Sequence, residues 1–294
     1  PVSRIMRSPV HFVPKDALVF EAMMKMTQKR VKYLAVTDKD EKVVGVVTNR
    51  DLINAQEQSP FFLVREITEA STLDEIVDKH RQLPSVVKTL INNGAKSKNV
   101  TRLITAVSDT ILNKLVGLAI EEAGEDPPAD FVFMIMGSEG RKEQTLKTDQ
   151  DNAIVYRDVP EESEASVRQY FLALAEKVCT WLDKAGYDFC EGDNMAKNPK
   201  WTQPLSVWKE YFSSWIHAGG PEELLRSSIF FDFRGACGNM EIIDELRRSL
   251  FDSLGGWAGF FRNLTENALY FKPPIGFFRN FVVASKGEHR NTFD

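Results

Sequence analysis

Two aspartates, Asp149 and Asp151, stand one residue apart in "TDQD", just ahead of the apolar run Ala153 to Tyr156. On an extended chain, residues i and i+2 point to the same face, so the two carboxylates are expected a few Å apart. At an effective dielectric near 20, like charges about 4 Å apart repel by about 4 kcal/mol. Either one carboxyl keeps a proton or a cation sits between them. Oxygen ligands on a rigid strand suit Mg²⁺, which keeps several waters and takes phosphate oxygens as further ligands. The plain alternative is a turn rich in Asp and Gly.

Upstream, Gly137-Ser138 closes the apolar run Phe131 to Met136. Glycine lets backbone approach a phosphate closely, and a serine hydroxyl with exposed N–H groups can donate to its oxygens. Arg141, Lys142 and Lys147 add cations nearby, with Arg141 suited to a two-pronged phosphate contact. The competing reading of Arg141 is a solvated ion pair with Glu139 or Glu143. No G-x-x-x-x-G-K-[ST] pattern occurs, so this is not a Walker loop.

The elements that must hold these residues are legible as patterns. "DFVFMIM" and "NAIVY" read as adjacent strands, and "PEESEASVRQYFLALAEKVCTWLDKAG" as an amphipathic helix stopped by Gly186. "YDFCEG" reads as a short strand, "PLSVWKEYFSSWI" as a helix, and "SSIFFDFRGACG" as a strand ending in a glycine turn. Trp201, Trp208 and Trp215, spaced by seven, are expected on one buried helix stripe. Residues 61–126 read as helices. Pro84 is a break, and Leu103, Ile104, Val107, Ile111, Leu115 and Leu118 form one stripe, read as packing helices, a dimer face or a lever between domains. The first sixty residues alternate strands and helices, with Asp16 as a candidate cap of the first helix.

The fold class expected is α+β and multidomain, divided as 1–62, a helical connector 63–126, a mixed-sheet domain 127–240 and a helical region 241–294. A net charge of −5 argues against nucleic-acid binding. Three cysteines without CxxC spacing read as buried thiols of a reducing compartment. No apolar stretch reads as a membrane span and no signal peptide opens the chain, so a cytoplasmic location is expected. Pro1 falls inside a patterned segment, as expected of a piece of a longer chain. His11, His80, His217 and His289 share no spacing and read as structural.

"IMRSPVHFVPKDALVFEAMMKM" and "YLAVTDKDEKVVGVVTNRDL" resemble a CBS motif, half of a CBS module. That resemblance implies an adenine nucleotide, AMP or ATP, with Thr48 and Asp51 matching the positions that hold ribose and phosphate. A hydroxyl and a carboxylate at a helix start can bond a ribose diol, or can simply cap the helix. With one motif visible, the partner is expected from an upstream segment or a second chain, and a homodimer is expected.

The strand–GS–loop–DxD pattern resembles the DNA polymerase β-like nucleotidyltransferases. "GSEGRKEQTLKTDQDNAIVY" is closest in look to the bacterial transferases that uridylylate or adenylylate nitrogen-regulatory proteins and glutamine synthetase. With the CBS motif and "FKPPIGFFRNF…GEH", nearly the whole chain resembles the nucleotidyltransferases associated with CBS domains. The resemblance implies a third carboxylate from a later strand, matched by Asp232 in "IFFDFRGACG", with Asp193 as fallback. Arg234 would then meet phosphate or pair with Asp232. It implies two Mg²⁺ ions held by Asp149, Asp151 and Asp232. Asp232 could serve instead as base, and Gly137, Ser138, Arg141, Lys142 and Arg234 would lie about the nucleotide. The implied reaction moves a nucleoside monophosphate from an NTP to a hydroxyl of a protein or small molecule, under control of the CBS nucleotide. The alternative is a catalytically silent nucleotide sensor.

Overall fold

A computed structural model describes residues 8–54, 60–217 and 229–255, with Pro1, Arg4, 259–262, Thr265 and Leu269. The segments "KPPIGFFRN" and "GEH" lie outside these residues.

The N-terminal part is β1 (Phe12–Pro14), α1 (Val19–Lys29), β2 (Tyr33–Thr37), β3 (Val43–Thr48) and α2 (Asn49–Asn54). Its sheet has the order β1-β2-β3, parallel then antiparallel. The core beneath is small: Val13, Ala22, Met23, Met26, Leu34 and Leu52. On β3, Val43, Val44 and Val46 stay exposed, so this sheet is covered on one side only. Asp16 does not cap α1. The helix starts at Val19 after Leu18, with no side-chain cap, and Asp16 pairs with Lys96 instead.

Five helices follow in two groups: α3 (Pro60–Glu69), α4 (Leu73–His80), α5 (Leu83–Asn92) and the long α6 (Ser97–Ala123), then α7 (Gly137–Gly140) after β4 (Phe131–Ile135). Pro84 sits in the first turn of α5, where a missing N–H costs nothing, and so divides α4 from α5. β5 (Asn152–Tyr156), α8 (Glu161–Ala185), β6 (Thr202–Pro204), α9 (Leu205–His217), β7 (Arg234–Gly238) and α10 (Met240–Ser253) complete the order. The second sheet runs β6-β5-β4-β7 and is mixed, with β5–β6 parallel and the other pairs antiparallel.

Every residue of β4 and β5 is buried. Alternation sends Phe131, Phe133, Ile135, Ile154 and Tyr156 to one face, against α6 and α8. Val132, Met134, Ala153 and Val155 go to the other, against α9 and α10. The sheet is therefore a middle layer between two helical layers, and the chain is α+β and multidomain.

Two expectations about the helices change here. The segment 63–126 is not a separate lever: Leu63, Ile67, Ile76, Leu83, Leu103, Val107, Ile111 and Leu115 share one core with the sheet. And α6 is long and apolar enough to cross a membrane, with a mean hydropathy of 1.5 over its most apolar stretch. Its inward stripe is the one expected from the sequence, Leu103, Ile104, Val107, Ile111, Leu115 and Leu118. Those apolar residues pack against β4 and α8 as a core helix does.

The tryptophans also differ. Trp208 and Trp215 lie on α9, but Trp201 precedes β6, because Thr202–Pro204 pairs with β5. The three meet around Phe230, with Trp201 and Trp215 ring centres 4.4 and 4.9 Å from its own. "YDFCEG" forms no strand; Asp188 makes one isolated bridge to Asp149.

Ile111 is fully buried on α6. Ile111→Ala is expected to cost about 2–5 kcal/mol in urea unfolding, as for other buried aliphatic truncations. A loss under about 0.5 kcal/mol, the surface value, would contradict the packing described.

Candidate active site

The antiparallel register sets Ile135 opposite Asn152, and Met136 N–H donates to the Asp151 carbonyl at 2.9 Å. The strand ends carrying "MGS" and "DQD" are thereby side by side. Gln150, between the two aspartates, turns inward. Its Nε2 donates to the carbonyls of Cys179 (3.0 Å) and Tyr187 (2.9 Å), and its own N–H reaches Asp188 O. Anchoring Gln150 inside leaves Asp149 and Asp151 on the opposite face, as alternation requires.

Gly137 has φ +59, and a Cβ there would stand 3.2 Å from Asp151 Oδ2 and 2.9 Å from Ile229 Cγ1. Any side chain would be both strained and crowded against the carboxylate. At Gly140 a Cβ would fall 1.8 Å from the Asp232 carbonyl oxygen, so the loop backbone is pressed onto the segment before β7.

The ligand atoms of Asp149, Asp151 and Cys190 lie within 4.8 Å of one another. Asp149 is exposed, Cys190 half-buried, and Asp151 only 9% exposed. Asp151 Oδ1 is buried and accepts no hydrogen bond. An unmade acceptor of this kind costs about 1–3 kcal/mol, more when charged, and a cation would satisfy it. Burial pushes the Asp151 carboxyl up to about 6, with the Asp149 charge adding to it and the Cys190 thiol opposing. The donor set therefore fits a divalent cation.

Behind this group, Glu139 keeps a partly accessible edge, yet its carboxyl is desolvated. Burial first and Asp109 next push it up to about 8, with Arg234 opposing and Asp151 adding. Asp109, on α6, was not anticipated from sequence. It grips Arg234 with two oxygens, at 2.7 and 3.0 Å, while Arg234 Nε donates to the Glu139 carbonyl at 3.2 Å. Next to it, Ser108 is buried and bonded to Tyr187 Oη (2.8 Å) and Gln144 Nε2. The signal was present: a polar Ser-Asp pair interrupts an otherwise apolar helical stripe.

The other expected residues fall as follows. Asp232 precedes β7, since pairing with β4 begins only at Arg234 opposite Ile135. Its Oδ2 accepts from Arg141 Nη1 at 2.6 Å, and Asp232 is not in the converging set. Arg141 also donates to Glu143 at 3.0 Å, so it spans two carboxylates at the rim. Arg234 pairs with Asp109, not with Asp232. Ser138 is half-buried, Lys142 and Lys147 are exposed, and Lys142 has φ 61. Asp193 also takes positive φ, and its carboxylate accepts from Asn198 at 2.8 Å within its own loop. In the N-terminal part, Thr48 and Asp51 bond reciprocally: Thr48 Oγ1 and N–H donate to Asp51 Oδ2 at 2.7 and 2.9 Å, and Asp51 N–H donates back to Thr48. This is a helix capping box.

Comparison with protein families gives three matches. Residues 81–222 match "Putative nucleotidyltransferase DUF294", residues 2–58 the "CBS domain", and residues 258–294 the "Putative nucleotidyltransferase substrate binding domain". Together they place the chain among the CBS-associated putative nucleotidyltransferases. Comparison with curated proteins returns no match.

The Asp151 proton gives a test of the site's electrostatics. The folded protein holds it up to about pH 6, whereas an unfolded aspartate releases it near about 3.9. The folded state is thus favoured at low pH and loses that advantage as pH rises between those values. At 1.36 kcal/mol per tenfold, the loss is at most roughly 3 kcal/mol. Without added metal, Asp151→Asn is expected to raise Tm at pH 8 and to leave it unchanged at pH 4. A variant less stable at pH 8 would show that Asp151 is not strained there.

Proposed function

We infer that this chain transfers a nucleoside monophosphate from an NTP to a hydroxyl on a protein or small molecule, using a divalent cation. The observation that carries the reading is the pair Asp149–Asp151, with its unsatisfied Oδ1, set against the bare backbone of Gly137. Asp149 and Asp151 would hold the cation. Gly137 and Ser138 would receive the phosphates, and Lys142 and Arg141 would meet them from the rim once Arg141 leaves Asp232. The bond formed joins the acceptor oxygen to Pα; the bond broken joins Pα to the pyrophosphate. The hydroxyl proton passes to solvent or to a carboxylate. A bound cation supplies charge neutralisation at the phosphates and lowers the hydroxyl's affinity for its proton. Asp109 and Arg234 would act as positioning residues, since their pair ties α6 to the Glu139 carbonyl within the glycine loop.

Regulation by an adenine nucleotide at the CBS motif is supported by the course of α6. Lys96 at its N-cap and Arg102 in its second turn pair with Asp16 and Glu21 of the CBS part, each at 3.3 Å. Two turns further on, the same helix carries Ser108 and Asp109. The uncovered β3 face supports pairing with a second CBS motif, and so a homodimer. A cytoplasmic location is proposed with it, where nucleotides are abundant.

A second reading, the silent sensor, is favoured by one fact: Asp232 is tied to Arg141 rather than gathered with Asp149 and Asp151. The two are separated by supplying labelled ATP, UTP, CTP and GTP with a divalent cation and cell extract. Label transfer with pyrophosphate release is expected, falling by more than about a hundredfold in Asp149→Asn and Asp151→Asn, since several kcal/mol of charge stabilisation is removed. Transfer that is absent, or equal in the variants, would leave only the sensor. In either case AMP or ATP is expected to raise Tm, by about 2.7 kcal/mol of stabilisation at a hundred times Kd. Thr48→Ala should abolish that rise.

A further inference from the structure

The third member of the converging group is a thiol, and its loop is built to present it. Cys190 begins a tight turn closed by Asp193 N–H to Cys190 O at 3.0 Å, with Asp193 in the left-handed region. Gly192 lies beneath the sulfur, where a Cβ would stand 3.6 Å from Sγ. The Asn194 amide donates to Sγ at 3.9 Å, and the Cys190 N–H donates to Met195 Sδ at 3.4 Å. A donor on sulfur is the outer-shell contact expected of a ligating thiolate. The second observation is Asp151 itself, nine-tenths buried, whose Oδ1 has no hydrogen-bond partner.

Distance decides whether one ion could reach all three. Metal–oxygen and metal–sulfur bonds of about 2.0–2.3 Å let ligand atoms on opposite sides of an ion stand at most roughly 4.5 Å apart. The three ligand atoms lie within 4.8 Å of one another, so modest side-chain adjustment brings them to one ion. The exposed Asp149 leaves a path for entry.

We propose that Asp149, Asp151 and Cys190 form a mixed oxygen–sulfur site that takes a borderline transition-metal cation, Zn²⁺ or Co²⁺, in preference to Mg²⁺. Mg²⁺ takes oxygen ligands and gains little from sulfur, whereas thiolate selects softer metals. The proposal rests on reading the aspartate pair as a cation site, and it replaces the oxygen-only Mg²⁺ expectation with a ligand set that the sequence spacing did not disclose. Cys190 would lose its proton to solvent as the metal–sulfur bond forms.

The test is direct metal binding to the full chain, with Co²⁺ as spectroscopic probe and Zn²⁺ and Mg²⁺ as titrants. The wild type is expected to show a near-ultraviolet sulfur-to-cobalt band that Cys190→Ser lacks, although Cys179 and Cys237 remain. Zn²⁺ affinity should fall at least about tenfold in Cys190→Ser, the lower bound seen for losing even an outer-shell partner, while Mg²⁺ affinity changes less than about threefold. Cys190→Asp, which keeps a ligand but makes it oxygen, should invert the preference toward Mg²⁺, and it serves if the serine variant does not fold. A band that survives in Cys190→Ser, or equal Zn²⁺ affinity with and without the thiol, overturns the proposal. Asp151→Asn distinguishes the underlying reading: if it leaves Mg²⁺ and Zn²⁺ binding unchanged, the paired-carboxylate site itself falls, whatever the thiol does.

Discussion

Strands β4 and β5 are withdrawn from water on both faces at once, and that constraint governs the site at their ends. A strand buried on one face can slip with modest loss. One buried on both cannot, because a one-residue slip exchanges its two sets of side chains. Here such a slip would carry Phe133 and Ile135 from the α6–α8 side to the α9–α10 side. The locked register sets Met136 N–H on Asp151 O and Gly137 against the Asp151 carboxylate. Asp151 is thereby largely withdrawn from solvent. Its raised proton affinity and its unsatisfied oxygen are consequences of the packing, and they make a cation favourable at that point.

Helix α6 ties this arrangement to the rest of the molecule. Most of its inward residues are apolar and do only packing, but Ser108 and Asp109 place polar atoms behind the glycine loop. Arg234 is only 15% exposed, so its charge needs Asp109 close by. Losing one member of such a pair costs far more than the pair contributes, because the other charge is left buried. The match of the nucleotidyltransferase family from residue 81 onward agrees with this: α5 and α6 lie inside the family's span and inside the domain's core.

The site is a crowd of acids with its cations at the edge. Asp109 and Asp151 add to the proton affinity that burial gives Glu139, Asp149 adds to that of Asp151, and the buried balancing charge is Arg234. Arg141 stands at the rim, shared between Asp232 and Glu143, both exposed enough for water to weaken the pairs. Such rim pairs are cheap to break, so Arg141 can exchange a carboxylate for a phosphate at little cost. The Asp109–Arg234 pair cannot be opened so readily.

The alternation of β4 and β5, the helix closed by Gly186, and the same-face placing of Asp149 and Asp151 were all legible in the chain. So was the Thr48–Asp51 relation, three residues apart at a helix start. Each depends on residues within about four positions, where backbone geometry alone fixes which side chains meet. Other features depend on partners far along the chain. Cys190 joins the aspartates from about forty residues away, and Asp109 reaches Arg234 across 125 positions. Asp232 is drawn to Arg141 because β7 pairs with β4 only from Arg234 onward. No local period encodes such meetings. They follow from which layers pack together, and so the sequence by itself determined the pair of carboxylates, while only the tertiary structure decided what surrounds them.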